Sequence, residues 1–260
     1  NRRAVLNLIR TKAPVSRADL ARLSGLQRST ISLIVEQLIG EPWVVEGPTG
    51  RLPRGRRPTY LRLNEERLII GVDVRPTLTT VALAEVSGRF LASRAFATPP
   101  DPQAGVSEII EAIANLRAAC EGKVIEGVGV SLPGRLDAGA RKLVFAPNLG
   151  WAGCDLRTPL EQATALKVEM DNAAAACALA AAWFDHLESN SLVVVTVSEG
   201  IGTGVFVDGR LARGLNGMAG EFGHISVDLS GPPCGCGSRG CWEVFASNRA
   251  GMRYYAEAGG

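Results

Sequence analysis

The chain has 260 residues, of which 46% are hydrophobic and 21% are charged, and its formal net charge is +2. This balance is typical of a folded protein and excludes a disordered or collagen-like chain. No apolar run reaches the roughly 18 residues of a membrane helix, and the first residues do not form the apolar region of a secretion signal. We therefore expect a cytoplasmic protein that does not contact a membrane, with about two domains.

The small net charge conceals a division of charge along the chain. Residues 1–67 hold 13 Lys and Arg against six Asp and Glu, a net charge of +7. Residues 68–260 hold 15 against 20, a net charge of −5. A short basic part joined to a longer acidic part suggests a nucleic-acid-binding domain attached to a domain with another task. We place the predicted domain boundary between residues 67 and 68.

Three helices are predicted in the basic part. Apolar residues recur at helical spacing over 2–11 and again over 27–39. Between these segments, Ser16 and Asp19 form the sequence pattern of a capping box, which predicts the start of a helix over 17–23. A glycine-containing turn follows, so the second and third helices are expected to form a helix-turn-helix.

The third helix begins with polar side chains that can donate to phosphates and reach base edges in the major groove. Strands are predicted over 43–46 and 59–63, and the basic loop between them is typical of a wing. The sequence thus predicts a winged helix-turn-helix DNA-binding domain over 1–67, the alternative being a small helical domain with a solvated basic face. The predicted DNA-contacting residues are Gln27, Arg28, Ser29, Thr30, Ser32, Arg51, Arg54, Arg56 and Arg57.

The acidic part alternates strands with helices, which predicts an α/β domain over 68–260. A glycine-rich stretch over 198–204 joins two of its strands. Its backbone amides could hold an anion, or it is equally a tight hairpin. The predicted strands are 68–74, 79–85, 89–97, 124–131, 167–170, 192–197 and 205–207, and the predicted helices are 106–120, 155–165 and 172–185.

Three of the six cysteines lie within eight positions, at Cys234, Cys236 and Cys241, and His224 precedes them. Three thiols and an imidazole make the donor set of a closed, tetrahedral, structural zinc site. Such clustering favours a metal site in a reducing compartment over a disulfide framework. The alternative is three free thiols in a glycine-rich loop.

Four motifs carry a resemblance to a known family. They are ExGH over Glu221–His224, CxCGxxGCxE over 234–243, LPGRLD over 132–137 and APNLGW over 146–151. With them the chain resembles the ROK family, which groups sugar-responsive repressors with sugar kinases. The resemblance implies a two-lobed actin-like (ribonuclease H-like) ATPase fold, preceded in the repressor branch by a winged helix-turn-helix.

The resemblance also implies roles for individual residues. Zinc would be held by His224, Cys234, Cys236 and Cys241. The sugar would be bound by Gly134, Arg135, Asn148, Asp171, Glu221, His224 and Glu243. One ring nitrogen of His224 would bind the metal while the other faces the sugar, since a metal fixes the tautomer and orientation of an imidazole. Asp171 matches the general base of the kinase branch.

The chain departs from the family's pattern in three places. Arg75 and Pro76 replace glycines of the kinases' first phosphate loop, which adds bulk and removes a backbone amide where phosphates would lie. Met170 replaces an Asn before Asp171, so one hydrogen bond to the sugar would be lost, which favours a dimer that responds to no ligand. The chain stops at Gly260, soon after the cysteine motif, so we expect the second lobe to be incomplete.

The favoured function is a transcriptional regulator, a repressor, whose affinity for double-stranded operator DNA changes when a sugar or sugar phosphate binds. It is expected to act as a homodimer or larger homo-oligomer, because paired half-sites mirror a dimer. It is not expected to be an enzyme. One alternative is an ATP-dependent sugar kinase with an added DNA-binding arm. Another is a DNA-binding dimer that responds to no ligand.

Overall fold

The structure is a computed structural model, and it describes residues 1–50, 57–120, 122–137, 142–146, 148–184, 191–214 and 217–259. The chain forms two compact units. The smaller unit comprises Asn1–Ile69, Leu83–Leu91 and Gly122–Glu126, and the larger unit comprises the rest. Within the described ranges, no helix is both long and apolar enough to cross a membrane.

The smaller unit contains three helices and a three-stranded antiparallel sheet. The helices are α1 (Arg2–Lys12), α2 (Arg17–Ser24) and α3 (Arg28–Gly40), and the strands are β1 (Val15–Ser16), β2 (Val44–Thr49) and β3 (Thr59–Leu63). The sheet order is β1-β3-β2. All three helices lie within one residue of their predicted bounds. Strand β1 was not predicted, because two residues show no periodicity; only pairing with Tyr60 and Leu61 makes them a strand.

Local signals in the sequence explain where these helices begin and end. Ser16 accepts from the backbone N–H of Asp19, and the Asp19 carboxylate accepts from the backbone N–H of Ser16, so the predicted capping box is present. Gly25 ends α2 in the left-handed conformation, at φ +70°. The apolar faces of the three helices pack with the sheet into one core, formed by Val5, Ile9, Val15, Leu20, Ile31, Ile34, Val35, Leu38, Val44, Leu61 and Leu63.

A five-stranded sheet has the order β11-β7-β4-β5-β6. Its strands are β4 (Arg67–Val74), β5 (Leu78–Glu85), β6 (Phe90–Ala97), β7 (Val124–Leu132) and β11 (Val168–Asn172). The predicted meander is therefore present as β4-β5-β6, and β11 runs parallel to β7. Helix α4 (Pro102–Ala118) connects β6 to β7, and α5 (Arg157–Thr164) precedes β11, which is the alternation expected of an α/β fold.

A small sheet between β7 and α5 was not predicted. It consists of β8 (Arg135–Leu136), β9 (Leu143–Ala146) and β10 (Trp151–Cys154), in the order β10-β9-β8. These strands have two to four residues, too few to show an alternating pattern. Trp151 in β10 is buried and donates to the backbone oxygen of Pro99, which holds this sheet in the larger unit.

The last part of the larger unit contains a third sheet and the cysteine motif. Strands β12 (Leu192–Val197), β13 (Ile201–Val207) and β14 (Arg210–Leu211) are antiparallel neighbours, and α6 (Ala173–Phe184) packs on β12 and β13. The 3-10 helix η1 (Glu221–His224) and helices α7 (Trp242–Ala246) and α8 (Asn248–Glu257) follow.

The glycine-rich stretch over 198–204 is a tight hairpin between β12 and β13. Val197 pairs with Ile201, and the N–H of Ser198 donates to the oxygen of Gly200. Gly202 and Gly204 lie inside β13, where an added Cβ at Gly204 would come within 2.3 Å of a backbone oxygen of α6. Close packing of α6 on β13 therefore accounts for these two glycines. Of the two predictions for this stretch, the structure shows the hairpin.

Candidate functional site

The cysteine motif and the histidine before it come together as one cluster. Their ligand atoms all lie within 4.8 Å of one another. Cys236 Sγ is 3.7 Å from Cys241 Sγ, and Cys234 Sγ is 3.5 Å from His224 Nδ1. Bond lengths of about 2.3 Å to sulfur and 2.0–2.1 Å to nitrogen place tetrahedral ligands about 3.8 Å and about 3.6 Å apart. The cluster therefore has the spacing of a zinc tetrahedron, with Nδ1 as the imidazole ligand.

Backbone bonds hold the cluster in shape. The N–H of Cys234 donates to the oxygen of Ser238, and the N–H of Val227 donates to the oxygen of Gly240. Gly240 has φ +59°, and an added Cβ there would lie 1.5 Å from the oxygen of Asp228. Only glycine fits this close approach of two backbone segments, which explains its place directly before Cys241.

The electrostatics of the cluster fit a divalent cation. Burial raises the pKa of the Cys241 thiol to about 12, and burial also raises the pKa of Cys234. Thiolates, not thiols, bind metals, so a positive charge inside the cluster must compensate their ionisation. Three sulfurs and one imidazole suit zinc as a closed structural site. All four predicted metal ligands belong to this cluster.

Two carboxylates flank the cluster. Glu221 Oε2 lies 3.9 Å from His224 Nε2, the ring nitrogen that faces away from the sulfurs. Glu243 accepts from the N–H of Ile201 at 3.0 Å, which fixes its carboxylate beside the β12–β13 hairpin. Burial raises the pKa of Glu221, with His224 acting in the opposite direction. Both acids therefore lie beside the Cys₃His cluster.

Asn148 belongs to the same group of side chains. An added Cβ at Gly200 would lie 2.2 Å from Glu243 Oε2 and 3.5 Å from Asn148 Nδ2. Both side chains therefore converge on the backbone of Gly200, and this glycine leaves room for them. A side chain at this position would displace Glu243, so Gly200 shapes the surroundings of this carboxylate, a role that the sequence did not predict.

The ends of β7 and β11 bring three further predicted residues near one another. Asp171 pairs in register with Ser131, and the following residue, Asn172, donates to the oxygen of Gly134 at 2.7 Å. Gly134 has φ +93°, and an added Cβ would lie 2.3 Å from the oxygen of Phe145, so the turn requires glycine. Arg135 follows and acts electrostatically on Glu221, which links this turn to the metal cluster.

Sequence reasoning missed two residues of this region. Arg213 donates to Asp171 at 2.5 Å, and Asn172 fixes the Gly134 turn. The amide after Asp171 at the end of a strand was a signal that could have identified Asn172. Arg213 gives no such signal, because 42 residues separate it from Asp171. Met170 is 7% exposed and lies in the core beside Val130, so it is not part of the surface that carries Asp171.

The turn after β4 is filled by an ion pair. Arg75 Nε donates to Asp73 Oδ2 at 2.7 Å, and Ser131 donates to the other oxygen of Asp73 at 3.1 Å. Thr98 donates to the backbone oxygen of Arg75 at 2.6 Å. The hydrogen bond with Asp73 raises the pKa of Arg75. The guanidinium is therefore bonded to Asp73 at this turn, while 65% of the Arg75 side chain stays exposed.

The predicted DNA-contacting residues are in part accessible. Gln27, Arg28 and Ser29 are exposed at the start of α3, and Arg57 is exposed before β3. Thr30 and Ser32 are half-buried. Arg51, Arg54 and Arg56 lie outside the described residues.

Ion pairs engage several arginines of the smaller unit. Arg2, Arg17, Arg22, Arg62, Arg67 and Arg89 each pair with a carboxylate. Within the described ranges, Arg28 and Arg57 have no such partner. Their charges are therefore available to a polyanion without the loss of an internal ion pair.

Comparison with known proteins identifies relatives of two kinds. The ROK family model matches residues 69–259. The xylose repressor of Bacillus subtilis (strain 168) is 33% identical over 259 residues, covering 96% of this chain and 66% of the repressor. The glucokinase of Streptomyces coelicolor is 35% identical over 192 residues, covering 72% of this chain and 58% of the kinase. The chain thus spans about two thirds of the length of the curated repressors that it matches.

A solved structure extends the similarity to the whole chain. A ROK family transcriptional regulator described as a homolog of the E. coli MLC protein has a TM-score of 0.79 and 27% identity, covering 100% of this chain and 68% of the regulator. The α/β fold of the larger unit is therefore of the ROK type. The family model spans well over half of the chain, and the chain belongs to the ROK family.

Proposed function

We propose that this chain is part of a sugar-responsive transcriptional repressor, with residues 1–67 binding operator DNA as a winged helix-turn-helix and residues 68–260 binding a sugar. The observation that carries the proposal is the combination, in one chain, of an exposed polar helix start with unpaired arginines and a separate cluster of carboxylates beside a Cys₃His set. The similarity to xylose repressors covers 96% of the chain, which supports the same assignment.

The smaller unit has the features that a DNA reader of this class needs. Helices α2 and α3 are joined at Gly25, and the apolar face of α3 is buried while its first residues are exposed. Strands β2 and β3 pair antiparallel, which supports the proposal that the basic segment joining them acts as a wing. Arg28 would contact base edges or phosphates, and Arg57 would contact phosphates.

The larger unit has the chemistry of a polyol site. Carboxylates accept from sugar hydroxyls, guanidinium groups donate to them and amides do both. Three acids, one amide, one guanidinium and one imidazole lie on neighbouring elements there. The residues of this proposed sugar site are Gly134, Arg135, Asn148, Asp171, Glu221, His224 and Glu243. Met170 is buried in the core, so its presence does not remove a hydrogen bond from this surface. That weakens the case for a dimer that responds to no ligand.

Zinc is proposed as the structural ion of the cluster formed by His224, Cys234, Cys236 and Cys241. When bound, it would supply the charge that keeps the thiols ionised and fix the His224 ring through Nδ1. Nε2 would then stay directed at Glu221, within reach of a ligand hydroxyl. The metal would thereby stabilise the loop that carries Glu221 and Glu243.

A sugar kinase is the second candidate, favoured by Asp171 and by the related glucokinases. Two features oppose it. Arg75 and Asp73 form an ion pair in the turn where nucleotide phosphates would lie, and Gly202 and Gly204 are explained by packing against α6. An ADP-release assay with D-glucose, D-xylose and N-acetylglucosamine distinguishes the two. Turnover that Asp171→Asn abolishes would establish the kinase.

Binding to DNA tests the repressor. A duplex selected from a random library by the purified protein serves as operator, and its affinity is measured with and without D-xylose and D-glucose. We expect Arg28→Ala to weaken specific binding by roughly 10- to 100-fold. Arg62→Ala, which removes the same charge from an exposed pair with Glu65, is the control and should change affinity little. Unaltered specific binding by Arg28→Ala would remove α3 from the interface.

The proposed response to a sugar is tested separately from DNA binding. A ligand alters DNA affinity only if it prefers one of two global states of the protein, and the change is reciprocal. Operator affinity that stays constant across a broad sugar panel would contradict the sensor. Footprinting of the same duplex reports the oligomer, because a dimer protects two half-sites about one helical turn apart.

A further inference from the structure

The ion pair between Arg213 and Asp171 uses only one of the two carboxylate oxygens of Asp171. Arg213 Nη2 donates to Asp171 Oδ2 at 2.5 Å. Within the part of the chain that the structure describes, Asp171 Oδ1 accepts no further hydrogen bond. Asp171 is 21% exposed and Arg213 is 56% exposed, so both groups can be reached from solvent. One oxygen is therefore anchored by a cation, and the other is presented to a ligand.

We propose that Arg213 is a specificity-determining residue of the sugar site, which together with Asp171 binds two neighbouring hydroxyls of the sugar ring. This inference rests on the proposed function. One hydroxyl donates to Asp171 Oδ1, and its neighbour accepts from a guanidinium N–H of Arg213. A hydroxyl is both donor and acceptor, whereas a carboxylate only accepts and a guanidinium only donates, so the pair matches a diol at two adjacent positions.

The backbone around Arg213 holds this arrangement in place. The oxygen of Arg213 accepts from the N–H of Ala219 at 3.1 Å, and Gly214 turns the chain at φ +68°. Met218, beside Ala219, accepts from the Arg135 guanidinium through its sulfur at 3.8 Å. Arg213 is therefore attached to a segment that also contacts the Gly134–Arg135 turn, and the two sides of the proposed site are connected through it.

The charge of Arg213 has a physical consequence for binding. A sugar that covers Asp171 takes its carboxylate out of water, and this desolvation costs less when a cation stays bonded to it. Charge-assisted hydrogen bonds are stronger than neutral ones, so both hydroxyls would be held firmly. Removing the cation should therefore weaken binding of a sugar that carries both hydroxyls.

Calorimetry with the full chain tests the proposal, using D-xylose, D-glucose and the set of monodeoxyglucoses as probes. Arg213→Gln should weaken binding of the better parent sugar about tenfold, and Arg213→Lys should restore it to within about threefold. Arg210→Gln is the matched control, because Arg210 is exposed in β14 and has no ion-pair partner in the described ranges. At least one monodeoxyglucose should bind wild type and Arg213→Gln equally, since it lacks one of the two hydroxyls.

The possible results separate the inference from the proposed function. If wild type binds the parent sugar and Arg213→Gln binds it equally well, the role of Arg213 is wrong while the sensor stands. Tighter binding by Arg213→Gln would also overturn it, because Arg213 would then compete with the sugar for Asp171. If wild type binds no sugar of the panel, the sugar sensor itself fails. A double-mutant cycle with Asp171→Asn should show that the two losses in affinity are not additive, because the two side chains act as a bonded pair. The comparison with the monodeoxyglucoses is what separates a contact with the ligand from a purely structural role.

Discussion

Cys236 Sγ and Cys241 Sγ lie 3.7 Å apart, five residues apart in the chain. A disulfide needs about 2.05 Å, whereas two sulfurs on one zinc ion lie about 3.8 Å apart. The two thiols are therefore spaced as ligands of a common metal ion. His224 Nδ1 and Cys234 Sγ lie 3.5 Å from each other in the same cluster, a spacing that also suits two ligands of one zinc ion.

Metal analysis of the purified protein should find one zinc per chain. Cys236→Ser removes one ligand and should lower both the zinc content and the thermal midpoint, because metal binding is coupled to folding of the loop. Cys177→Ser is the control, since Cys177 is exposed and outside the cluster. A metal-free wild-type protein whose melting is unchanged by added zinc or chelator would contradict the site.

The capping box of α2 should make the smaller unit sensitive to acid. The hydroxyl and the backbone N–H of Ser16 donate to Asp19 and lower the pKa of its carboxyl group. Its contribution to stability is therefore present above about pH 4 and is lost as the pH falls through the lowered pKa. Ser16→Ala should cost about 1 kcal/mol at pH 7.

Urea unfolding at pH 7 and pH 3 measures this effect. The difference between wild type and Ser16→Ala should be smaller at pH 3 than at pH 7, because the contribution of these bonds falls once the pH is below the ordinary pKa of the Asp19 carboxyl group. Ser107→Ala, at an exposed position inside α4, should change stability by the same small amount at both pH values. A difference that grows as the pH falls would have the wrong sign for this mechanism.

Gly204→Ala should destabilise the larger unit. An added Cβ would lie 2.3 Å from the oxygen of Ala174 and 2.6 Å from the Cβ of Ala178, and backbone cannot move aside as a flexible side chain does. We expect a loss of about 2–3 kcal/mol, measured by chemical unfolding. Gly71→Ala is the matched control inside a strand, because no atom lies within 4 Å of its added Cβ. Equal stability of the two variants would mean that α6 does not pack closely on β13.

Arg67 is expected to stabilise the smaller unit through three partners. Its guanidinium lies 4.4 Å from the ring centre of Trp43, donates to the oxygen of Glu41 at 2.6 Å and pairs with Glu126, which is 22% exposed. Arg67→Ala should lower the unfolding free energy by about 2–3 kcal/mol, because Glu126 loses its partner in a largely buried position.

An exposed pair provides the comparison for Arg67. Arg62 and Glu65 are both at least half exposed, so Arg62→Ala should change stability by less than about 0.5 kcal/mol. A second test replaces Glu126 with Gln, and its cost should overlap with that of Arg67→Ala in a double-mutant cycle. Additive costs would show that the ion pair is not what Arg67 contributes.

The amino-acid sequence by itself determined the helices of the smaller unit, the meander β4-β5-β6 and the composition of the cysteine cluster. In each case the determining information is local. The Ser16–Asp19 pair caps a helix across three residues, apolar periodicity assigns the buried face of α3, and the thiols are close in the chain. The functional motifs were likewise short and contiguous, and the family match agrees with them.

Tertiary structure decided what depends on long-range approach. β1 is a strand only because Val15 meets Leu61, and the 198–204 stretch is a hairpin with its glycines under α6. Arg213 donates to Asp171, which lies 42 residues earlier in the chain. The side chains of Asn148 and Glu243, which are far apart in the sequence, both approach Gly200. Such pairs form because the packing of sheets and helices brings distant residues together. The amino-acid sequence alone does not show which distant residues will meet. The sequence thus names the donors and acceptors of the site, and only the fold shows which of them are already paired.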